Sequence, residues 1–191
     1  MPHSTALLLI DVINDCRFEG GEDLVRNAKP TIGPIGDLTA RARAADVPVI
    51  YVNDNFGRWN DTFADVVERC TSDDSRGCEI ATALSPGDAD HFILKPKHSA
   101  FYLTSLDALL NKLGTERLII CGYAGDICVL FTANDAYMRE YEVVVPRDCI
   151  ASESVESNDC VIELMERTLG VDTRPGAEVQ LVGSQTAVAL T

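Results

Sequence analysis

Short apolar runs of strand length alternate along this chain with segments whose apolar residues have helical spacing. The strand-length runs are at 6–11, 47–53, 91–95, 117–122, 141–146 and 177–182. Several, such as ALLLI in the first, are continuously apolar, which is typical of strands covered on both faces. The helical segments are at 35–45, 105–114, 126–139 and 155–170. This alternation predicts a three-layer α/β/α fold with a doubly wound, mostly parallel, six-stranded sheet of Rossmann-like type.

The chain is expected to form one domain. Its 191 residues are 46% hydrophobic and 24% charged, a composition that can bury a sizeable core. It contains no internal repeat, low-complexity run or Pro/Gly-rich linker. The polar stretch at 70–87 is interpreted as a surface excursion within the domain. We therefore predict a single domain over residues 1–191.

Charge and hydropathy argue against several classes of partner. Lys and Arg total 16 against 30 Asp and Glu, a net charge of −14 that repels phosphate backbones and anionic membrane surfaces. No stretch approaches the roughly 20 apolar residues of a membrane span. The opening MPHSTALLLIDV reaches an acid where a signal peptide would continue apolar. We expect a cytoplasmic protein that binds neither nucleic acid nor membranes.

The cysteine and histidine positions favour neither a disulfide framework nor a metal site. The seven cysteines are odd in number and form no CxxC pair. The three histidines, at 3, 91 and 98, show no HxH, HExxH or DxH spacing. Most cysteines are therefore predicted to be small buried apolar groups. We predict no metal and no cofactor.

Three chemically distinct side chains follow three of the predicted strands. Asp11 ends the first run, Lys95 ends the third, and Cys128 lies in the first turn of the helix after the fourth. Each has a simpler interpretation: a turn cap for Asp11, a rim charge for Lys95 with Lys97 as its competitor, and a packed cysteine for Cys128. Together they bring an acid, a cation and a nucleophile to one edge of the sheet, where doubly wound folds build their sites.

These three groups complement one another chemically. A thiol with an ordinary pKa of about 8.5 is mostly protonated at neutral pH, although a helix start favours the thiolate. Asp11 can accept the thiol proton as a general base. Because a carboxylate beside a thiolate disfavours both charges, Lys95 is needed nearby to offset the repulsion. The pattern indicates nucleophilic catalysis by Cys128.

The motifs around these residues resemble those of the isochorismatase-like cysteine hydrolases, which include nicotinamidases, carbamoylsarcosine amidohydrolases and ureidoacrylate or maleamate amidohydrolases. LLLIDVINDC is similar to the first family motif, ILKPKHSAFYLTSLDALL to the lysine motif, and LIICGYAGDICVLFTANDAYMREYEVVVPRDC to the cysteine motif. The resemblance covers nearly the whole chain. It implies that Asp11, Lys95 and Cys128 form a catalytic triad, with Lys95 rather than Lys97 because Lys95 stands four residues before SAF.

The resemblance has further implications for the cysteine turn and for assembly. It implies a cis peptide bond between Tyr123 and Ala124, and an oxyanion hole made by the backbone N–H groups of Ala124 and Cys128. Asp126 looks like the structural acid of this turn, with helix capping as the alternative. A homo-oligomer, dimer or tetramer, is also implied, with helices near the active-site edge in contact.

The chain departs from parts of the family. Nicotinamidases carry an acid and metal-binding histidines after the second strand, whereas YVNDNFGRWNDTF has no histidine, which disfavours nicotinamidase activity. Isochorismate hydrolases of this fold generally lack the cysteine, so its presence favours acyl chemistry over enol-ether hydrolysis. Ile13 and Cys16 replace the usual Gln and Phe and alter the pocket wall. His98, beside SAF, is interpreted as structural rather than as a catalytic base.

Seven residues beyond strand ends or in the loop after the second strand are candidates for substrate binding: Asn14, Phe18, Asn53, Asp54, Phe56, Trp59 and Tyr123. Packing is an equal alternative for Trp59, and turn formation for Asn53 and Asp54. We predict a metal-free hydrolase of a small amide, carbamoyl or ureido compound that works through a thioester. An isochorismate-like vinyl-ether hydrolase, and a thiol sensor or ligand-binding protein without turnover, remain open alternatives.

Overall fold

The structure, a computed structural model, describes residues 4–181 and contains one parallel sheet in that range. Its strands are β1 Thr5–Ile10, β2 Val49–Asp54, β3 His91–Lys95, β4 Arg117–Tyr123, β5 Glu142–Val144 and β6 Ile150–Ala151. The order is β3-β2-β1-β4-β5, and β5 and β6 pair with successive parts of β4 at residues 117–119 and 122–123. Every strand pair is parallel. The winding direction reverses between β1 and β4, so a crevice is expected outside their carboxyl ends.

Helices cover both faces of the sheet. They are α1 Gly21–Ala28, α2 Ile32–Ala44, α3 Phe63–Cys70, α4 Cys78–Ala83, α5 Leu106–Leu113, α6 Leu130–Tyr137 and α7 Val155–Leu169. The buried side chains of α1–α4 join the core on one face, and those of α5–α7 join the core on the other. The predicted three-layer α/β/α fold is therefore confirmed. Within residues 4–181, no helix combines the length and the apolar character needed to cross a lipid bilayer.

The central strand β1 is buried along its whole length. Leu7 and Leu9 pack with α1–α4, whereas Leu8 and Ile10 pack with α5–α7. Successive side chains of a strand point to opposite faces, so a strand between two helical layers must be apolar at every position. Each such side chain contributes about 1.5–3 kcal/mol by burial. This central packing holds the carboxyl end of β1 at a defined place.

The strand predicted at 177–182 is wrong for the described part of that range. Gly176–Glu178 is a single 3₁₀ turn, and residue 182 lies outside the described residues. The outer edge of β5 is already taken by Asp172, which forms a parallel bridge with Val144. Arg41 donates to the carbonyl groups of Gly176 and Val179, so these backbone acceptors need no strand partner. The sixth strand is instead Ile150–Ala151, which is too short to show a periodic pattern.

Three helices were not predicted, namely α1, α3 and α4. The last of them lies within the stretch 70–87 that was predicted to be a surface excursion, yet Ile80 and Ala81 are buried in the core. The predicted helix ends at Gly114 and Gly170 are confirmed, because both glycines have left-handed conformations after α5 and α7. A terminal glycine adopts this conformation at no steric cost.

Candidate active site at the carboxyl edge of the sheet

Asp11, the first residue after β1, is buried and held by two donors. Its backbone φ is 51°, a left-handed conformation that Asp tolerates better than most residues. Oδ1 accepts a hydrogen bond of 2.6 Å from the backbone N–H of Asp54. Oδ2 lies 2.7 Å from the Lys95 Nζ. Both carboxylate oxygens are therefore engaged, and the side chain is fixed at the junction of β1, β2 and β3.

Lys95, the last residue of β3, has a side chain with 0% exposure. Its Nζ is 2.7 Å from the Asp11 Oδ2, 3.4 Å from the Cys128 Sγ and 3.9 Å from an oxygen of Asp54. Burial opposes its positive charge, but the attraction of its anionic neighbours, Asp11 foremost, outweighs burial and raises the pKa of Lys95. A buried ammonium therefore lies between a carboxylate and a sulfur.

The turn that carries Cys128 begins where β4 ends. The peptide bond between Tyr123 and Ala124 is cis, the arrangement that the resemblance implied. Gly125–Val129 then forms one π-helical turn that runs into α6. The carbonyl of Ala124 accepts hydrogen bonds from the N–H groups of Ile127 and Val129. Single π-helical turns are rare and occur often at functional sites.

The same turn is anchored from β6 and α7 by residues that sequence reasoning missed. The backbone N–H of Asp126 donates to the Ser152 Oγ at 3.1 Å, and that hydroxyl donates to the Asn158 Oδ1 at 3.0 Å. A Cβ on Gly125 would lie 2.4 Å from the same Asn158 oxygen. Only the tertiary contact reveals this, because Ser152 follows Asp126 by 26 residues. The predicted role of the Asp126 carboxylate stays a prediction.

Burial, and then the negative charge of Asp11, raise the pKa of the Cys128 thiol to about 12, and Lys95 offsets only part of this effect. The expected lowering of the pKa by the helix start is therefore outweighed. At neutral pH the resting group is a thiol, partly exposed and 3.4 Å from an ammonium. The arrangement is suited to transfer of the thiol proton to a nearby carboxylate when an electrophile is present.

Of the candidate substrate residues, Asp54 lies next to this cluster, and Phe56 is joined to Asp54 by a hydrogen bond from its backbone N–H. The Asp54 Oδ1 accepts a hydrogen bond of 2.6 Å from the N–H of Phe56, and its Oδ2 is 3.9 Å from the Lys95 Nζ. Phe56 has a φ of 52°, and its ring centroid lies 5.5 Å from the guanidinium carbon of Arg69. The start of the loop after β2 thus borders the cluster formed by Asp11, Lys95 and Cys128, which we call the Asp–Lys–Cys cluster.

Two other candidates are buried and make contacts within the protein, and substrate binding by them stays a prediction. The Tyr123 hydroxyl is 2.7 Å from the Thr31 Oγ1, and its ring packs with α1–α4. Asn53 is fully buried, and its Nδ2 donates to the Ile13 carbonyl. The reason is strand alternation: Asn53 and Asp54 must point to opposite faces of β2.

The remaining candidates have no contact that decides their role. The Asn14 Oδ1 accepts a hydrogen bond from the N–H of Cys16, Phe18 is exposed, and Trp59 has 77% of its surface exposed. Substrate contact by these residues stays a prediction. His98 lies against Phe131 with ring centroids 5.6 Å apart, a contact that agrees with a structural role.

Three hollows elsewhere on the surface offer no comparable chemistry. One of about 530 Å³ is lined by α2 together with Asp148 and Ala177. Two others, of about 420 and 550 Å³, flank the edge strand β3. None is lined by a member of the Asp–Lys–Cys cluster, and none contains a thiol. Among residues 4–181, no group of three or more His, Cys, Asp or Glu side chains is arranged to hold a metal ion.

Comparison with known proteins identifies a family model and similar relatives. A family model for the isochorismatase domain matches residues 5–175. The uncharacterized isochorismatase family protein YaaI of Bacillus subtilis is 46% identical over 164 residues, which are 86% of this chain and 90% of that protein. The ureidoacrylate amidohydrolase RutB of Methylorubrum extorquens is 28% identical over 170 residues, 76% of this chain and 68% of the enzyme. The crystal structure of N-carbamoylsarcosine amidase from Thermoplasma acidophilum superposes with a TM-score of 0.70 at 25% identity, covering 93% of this chain and 99% of that one.

Proposed function

This chain belongs to the isochorismatase family, and from that premise we propose that it is a cysteine-dependent hydrolase of a small amide, carbamoyl or ureido compound. The proposal rests on one observation: the Lys95 ammonium is 2.7 Å from the Asp11 carboxylate and 3.4 Å from the Cys128 sulfur. A thiol nucleophile needs a base to take its proton and a cation to offset the resulting charge, and this cluster provides both. The similar ureidoacrylate amidohydrolase and N-carbamoylsarcosine amidase support an amide-type substrate.

In the proposed acylation step, Cys128 attacks the carbonyl carbon of the substrate while Asp11 takes the thiol proton. A C–S bond forms, and the carbonyl oxygen becomes an oxyanion that the backbone N–H groups of Ala124 and Cys128 stabilise. One such donor typically contributes about 3 kcal/mol. Collapse of the tetrahedral intermediate breaks the C–N bond, and Asp11 returns the proton to the departing nitrogen. Ammonia or an amine leaves, and a thioester remains on Cys128.

In the proposed deacylation step, Asp11 deprotonates a water molecule that attacks the thioester carbon. The C–S bond breaks, the acid product leaves, and the sulfur recovers its proton. Lys95 remains charged throughout, because its pKa is raised above the ordinary value. Its ammonium offsets the negative charge on the sulfur when the thiolate leaves. No proton needs to be supplied by any other side chain.

We also propose that the protein is a single domain, that it is cytoplasmic, and that it forms a homo-oligomer. Its substrates are small molecules. Exposed apolar side chains on α6 and near its two ends, namely Ile127, Phe131 and Met138, support a subunit contact near the site. Light scattering coupled to size-exclusion chromatography would measure the oligomeric state.

The nucleophile is tested by comparing Cys128→Ala with Cys160→Ala on a panel of small amides, carbamoyl compounds and ureas, following ammonia release. We expect Cys128→Ala to lose at least about 1,000-fold in kcat/KM, because the covalent step is lost. Cys160 is an exposed free cysteine outside the cluster, so Cys160→Ala should keep full activity. Intact-protein mass spectrometry should detect an acyl adduct on the wild-type protein.

Three other outcomes would contradict the proposal. Unchanged turnover in Cys128→Ala would exclude the nucleophile. Loss of an enol ether without an acyl adduct would identify a vinyl-ether hydrolase. Oxidation of Cys128 by peroxide, with every amide left intact by the wild-type protein, would identify a thiol sensor.

A further inference from the structure

One oxygen of the Asp54 carboxylate is free of hydrogen bonds among the described residues. Its Oδ1 accepts the Phe56 N–H at 2.6 Å, whereas its Oδ2 lies 3.9 Å from the Lys95 Nζ, beyond hydrogen-bond distance. The side chain is 34% exposed. An accessible acceptor therefore stands beside the ammonium of the Asp–Lys–Cys cluster.

The other charged groups of the cluster cannot offer a free hydrogen-bonding atom to a substrate. Both oxygens of Asp11 are engaged, one by the Asp54 N–H and one by Lys95, and the residue is buried. Lys95 has no exposed surface. Asp54 is therefore the most exposed of the three charged side chains Asp11, Lys95 and Asp54.

The local charge is negative while Cys128 is a thiol. The cluster and Asp54 together carry two carboxylates and one ammonium, which sum to −1. Arg69, which lies over Phe56, is ion-paired with Asp61, and Arg58 of the same loop is exposed to solvent. The chain as a whole carries −14. Within the cluster and Asp54, no further positive charge compensates a second negative charge brought in by a substrate.

On the premise of the proposed hydrolase activity, we propose that Asp54 selects substrates with an N–H or ammonium donor near the scissile carbonyl and disfavours substrates with a carboxylate there. A donor next to the reacting carbon can bond the free Oδ2, whereas a carboxylate would face Asp54 at short range. A hydrogen bond to an ionised group discriminates by roughly tenfold or more, and juxtaposed like charges add to that preference. The substrate class is therefore an amide or urea that is neutral and rich in N–H groups, or cationic.

The first test compares three amides of similar length that differ in their distal group: β-alaninamide, 3-hydroxypropanamide and succinamate. We expect kcat/KM of the wild-type protein to fall in that order, from cation to neutral to anion. In Asp54→Asn the ratio of the cationic to the anionic amide should fall at least about tenfold. Asn keeps the acceptor for the Phe56 N–H, and the ratio cancels any general effect of the substitution on Lys95.

A second test does not depend on turnover. Iodoacetamide and iodoacetate are thiol-alkylating reagents that differ in one charge, and their rates would be measured at Cys128 and at the exposed Cys160. The rate with iodoacetamide divided by the rate with iodoacetate is measured at Cys128 and normalised to the same ratio at Cys160. This normalised ratio should exceed one in the wild-type protein and fall about tenfold in Asp54→Asn. Asp73→Asn removes the same charge from an exposed position and should leave both ratios unchanged. Asp54→Ser provides a second substitution if Asp54→Asn folds poorly.

The two proposals fail in different ways. Ratios that are the same in Asp54→Asn and in the wild-type protein would overturn the role of Asp54, even if turnover still requires Cys128. Absence of any Cys128-dependent hydrolysis would overturn the proposed function, whereas the alkylation ratio would still decide the charge preference of Asp54. If Asp54→Asn and Asp73→Asn changed the two ratios equally, the effect would be a nonspecific one of net charge. That result would also overturn the proposed role of Asp54.

Discussion

The Cys128 thiol has neighbours that act on it in opposite directions. Burial and the Asp11 carboxylate raise its pKa, to about 12, and the Lys95 ammonium lowers it. In the proposed mechanism, the nucleophile is therefore protonated until Asp11 accepts its proton, and it stays a thiol throughout the physiological pH range. This limits unwanted oxidation and alkylation, which require the thiolate. The arrangement ties reactivity to the presence of a substrate carbonyl rather than to pH.

This balance predicts that Asp11→Asn will change alkylation and hydrolysis in opposite directions. In the wild-type protein, alkylation of Cys128 by iodoacetamide should keep rising about tenfold per pH unit from pH 7 to pH 9.5, because the thiolate fraction is far from saturation below a pKa of about 12. In Asp11→Asn the charge that raises the pKa is gone, so alkylation at pH 7 should be faster. Hydrolysis should fall at least about 100-fold, because the general base is lost.

The alkylation profiles can be measured by pulse labelling and mass spectrometry of the peptide that contains Cys128. Asn is a suitable replacement because it tolerates the left-handed φ of 51° and can still accept the N–H of Asp54. A wild-type profile that levels off near pH 8.5, as for a free cysteine, would contradict the raised pKa. Equal losses of alkylation and hydrolysis in Asp11→Asn would indicate misfolding rather than loss of a base.

At the scale of elements, the position of Cys128 depends on how three segments meet. The π-helical turn Gly125–Val129 joins β4 to α6, and the N–H of its residue Asp126 donates to Ser152, which directly follows β6. Ser152 bridges this turn and α7, because its hydroxyl accepts from Asp126 and donates to Asn158. A buried hydroxyl with both a donor and an acceptor partner holds its neighbours in one geometry.

We predict that Ser152→Ala lowers kcat about fivefold to tenfold and changes KM less than twofold. Loss of the hydroxyl leaves the partly buried Asp126 N–H without its partner, which costs about 1–1.5 kcal/mol and loosens the turn that carries the sulfur. Steady-state kinetics on the best amide of the panel would measure both constants. Ser154→Ala is the matched control, because the Ser154 hydroxyl caps α7 at Ser157 and donates to Glu156, with no bond to the turn that carries Cys128. That control should lower the melting temperature and leave kcat unchanged; a parallel loss of kcat in both variants would contradict the positioning role.

At the scale of the whole molecule, the contact between β1 and β4 brings the two halves of the sheet together. Ile10 pairs with Gly122 at the carboxyl ends of these strands, one residue before Asp11. A Cβ on Gly122 would lie 2.0 Å from the Ile10 carbonyl oxygen, and the φ of Gly122 is 120°. The close approach of two backbones therefore requires glycine at this position.

We predict that Gly122→Ala destabilises the protein by about 3 kcal/mol or more, because the methyl group would meet backbone and the residue would keep a strained φ. Gly36→Ala is the control, because Gly36 lies within α2 and nothing stands within 4 Å of its added Cβ. That change should stabilise by about 0.5–1 kcal/mol through helix propensity and a less flexible unfolded chain. Urea denaturation would measure both values. Similar midpoints for the two variants would contradict the close strand approach.

The parts of the fold that could be predicted are those that depend on local pattern. β1 and β3 follow from continuous apolar runs, and the ends of α5 and α7 follow from Gly114 and Gly170. The positions of Asp11, Lys95 and Cys128 at one edge follow from a general property of parallel sheets, whose strand ends meet there. These inferences need only chain direction and strand order near the centre of the sheet.

Other features depended on contacts between distant segments. Whether Asn53 or Asp54 faces the Asp–Lys–Cys cluster depends on strand register, since adjacent residues point to opposite faces. The strand predicted at 177–182 was excluded because Asp172 already pairs with the edge of β5. The types of reactive residue and the order of strands and helices along the chain can therefore be predicted from local pattern, because apolar runs and strand-end residues are properties of short segments. The distances between the groups, the pKa of Cys128 and the anchoring by Ser152 arise only on folding, because each depends on burial and on partners far away in the sequence.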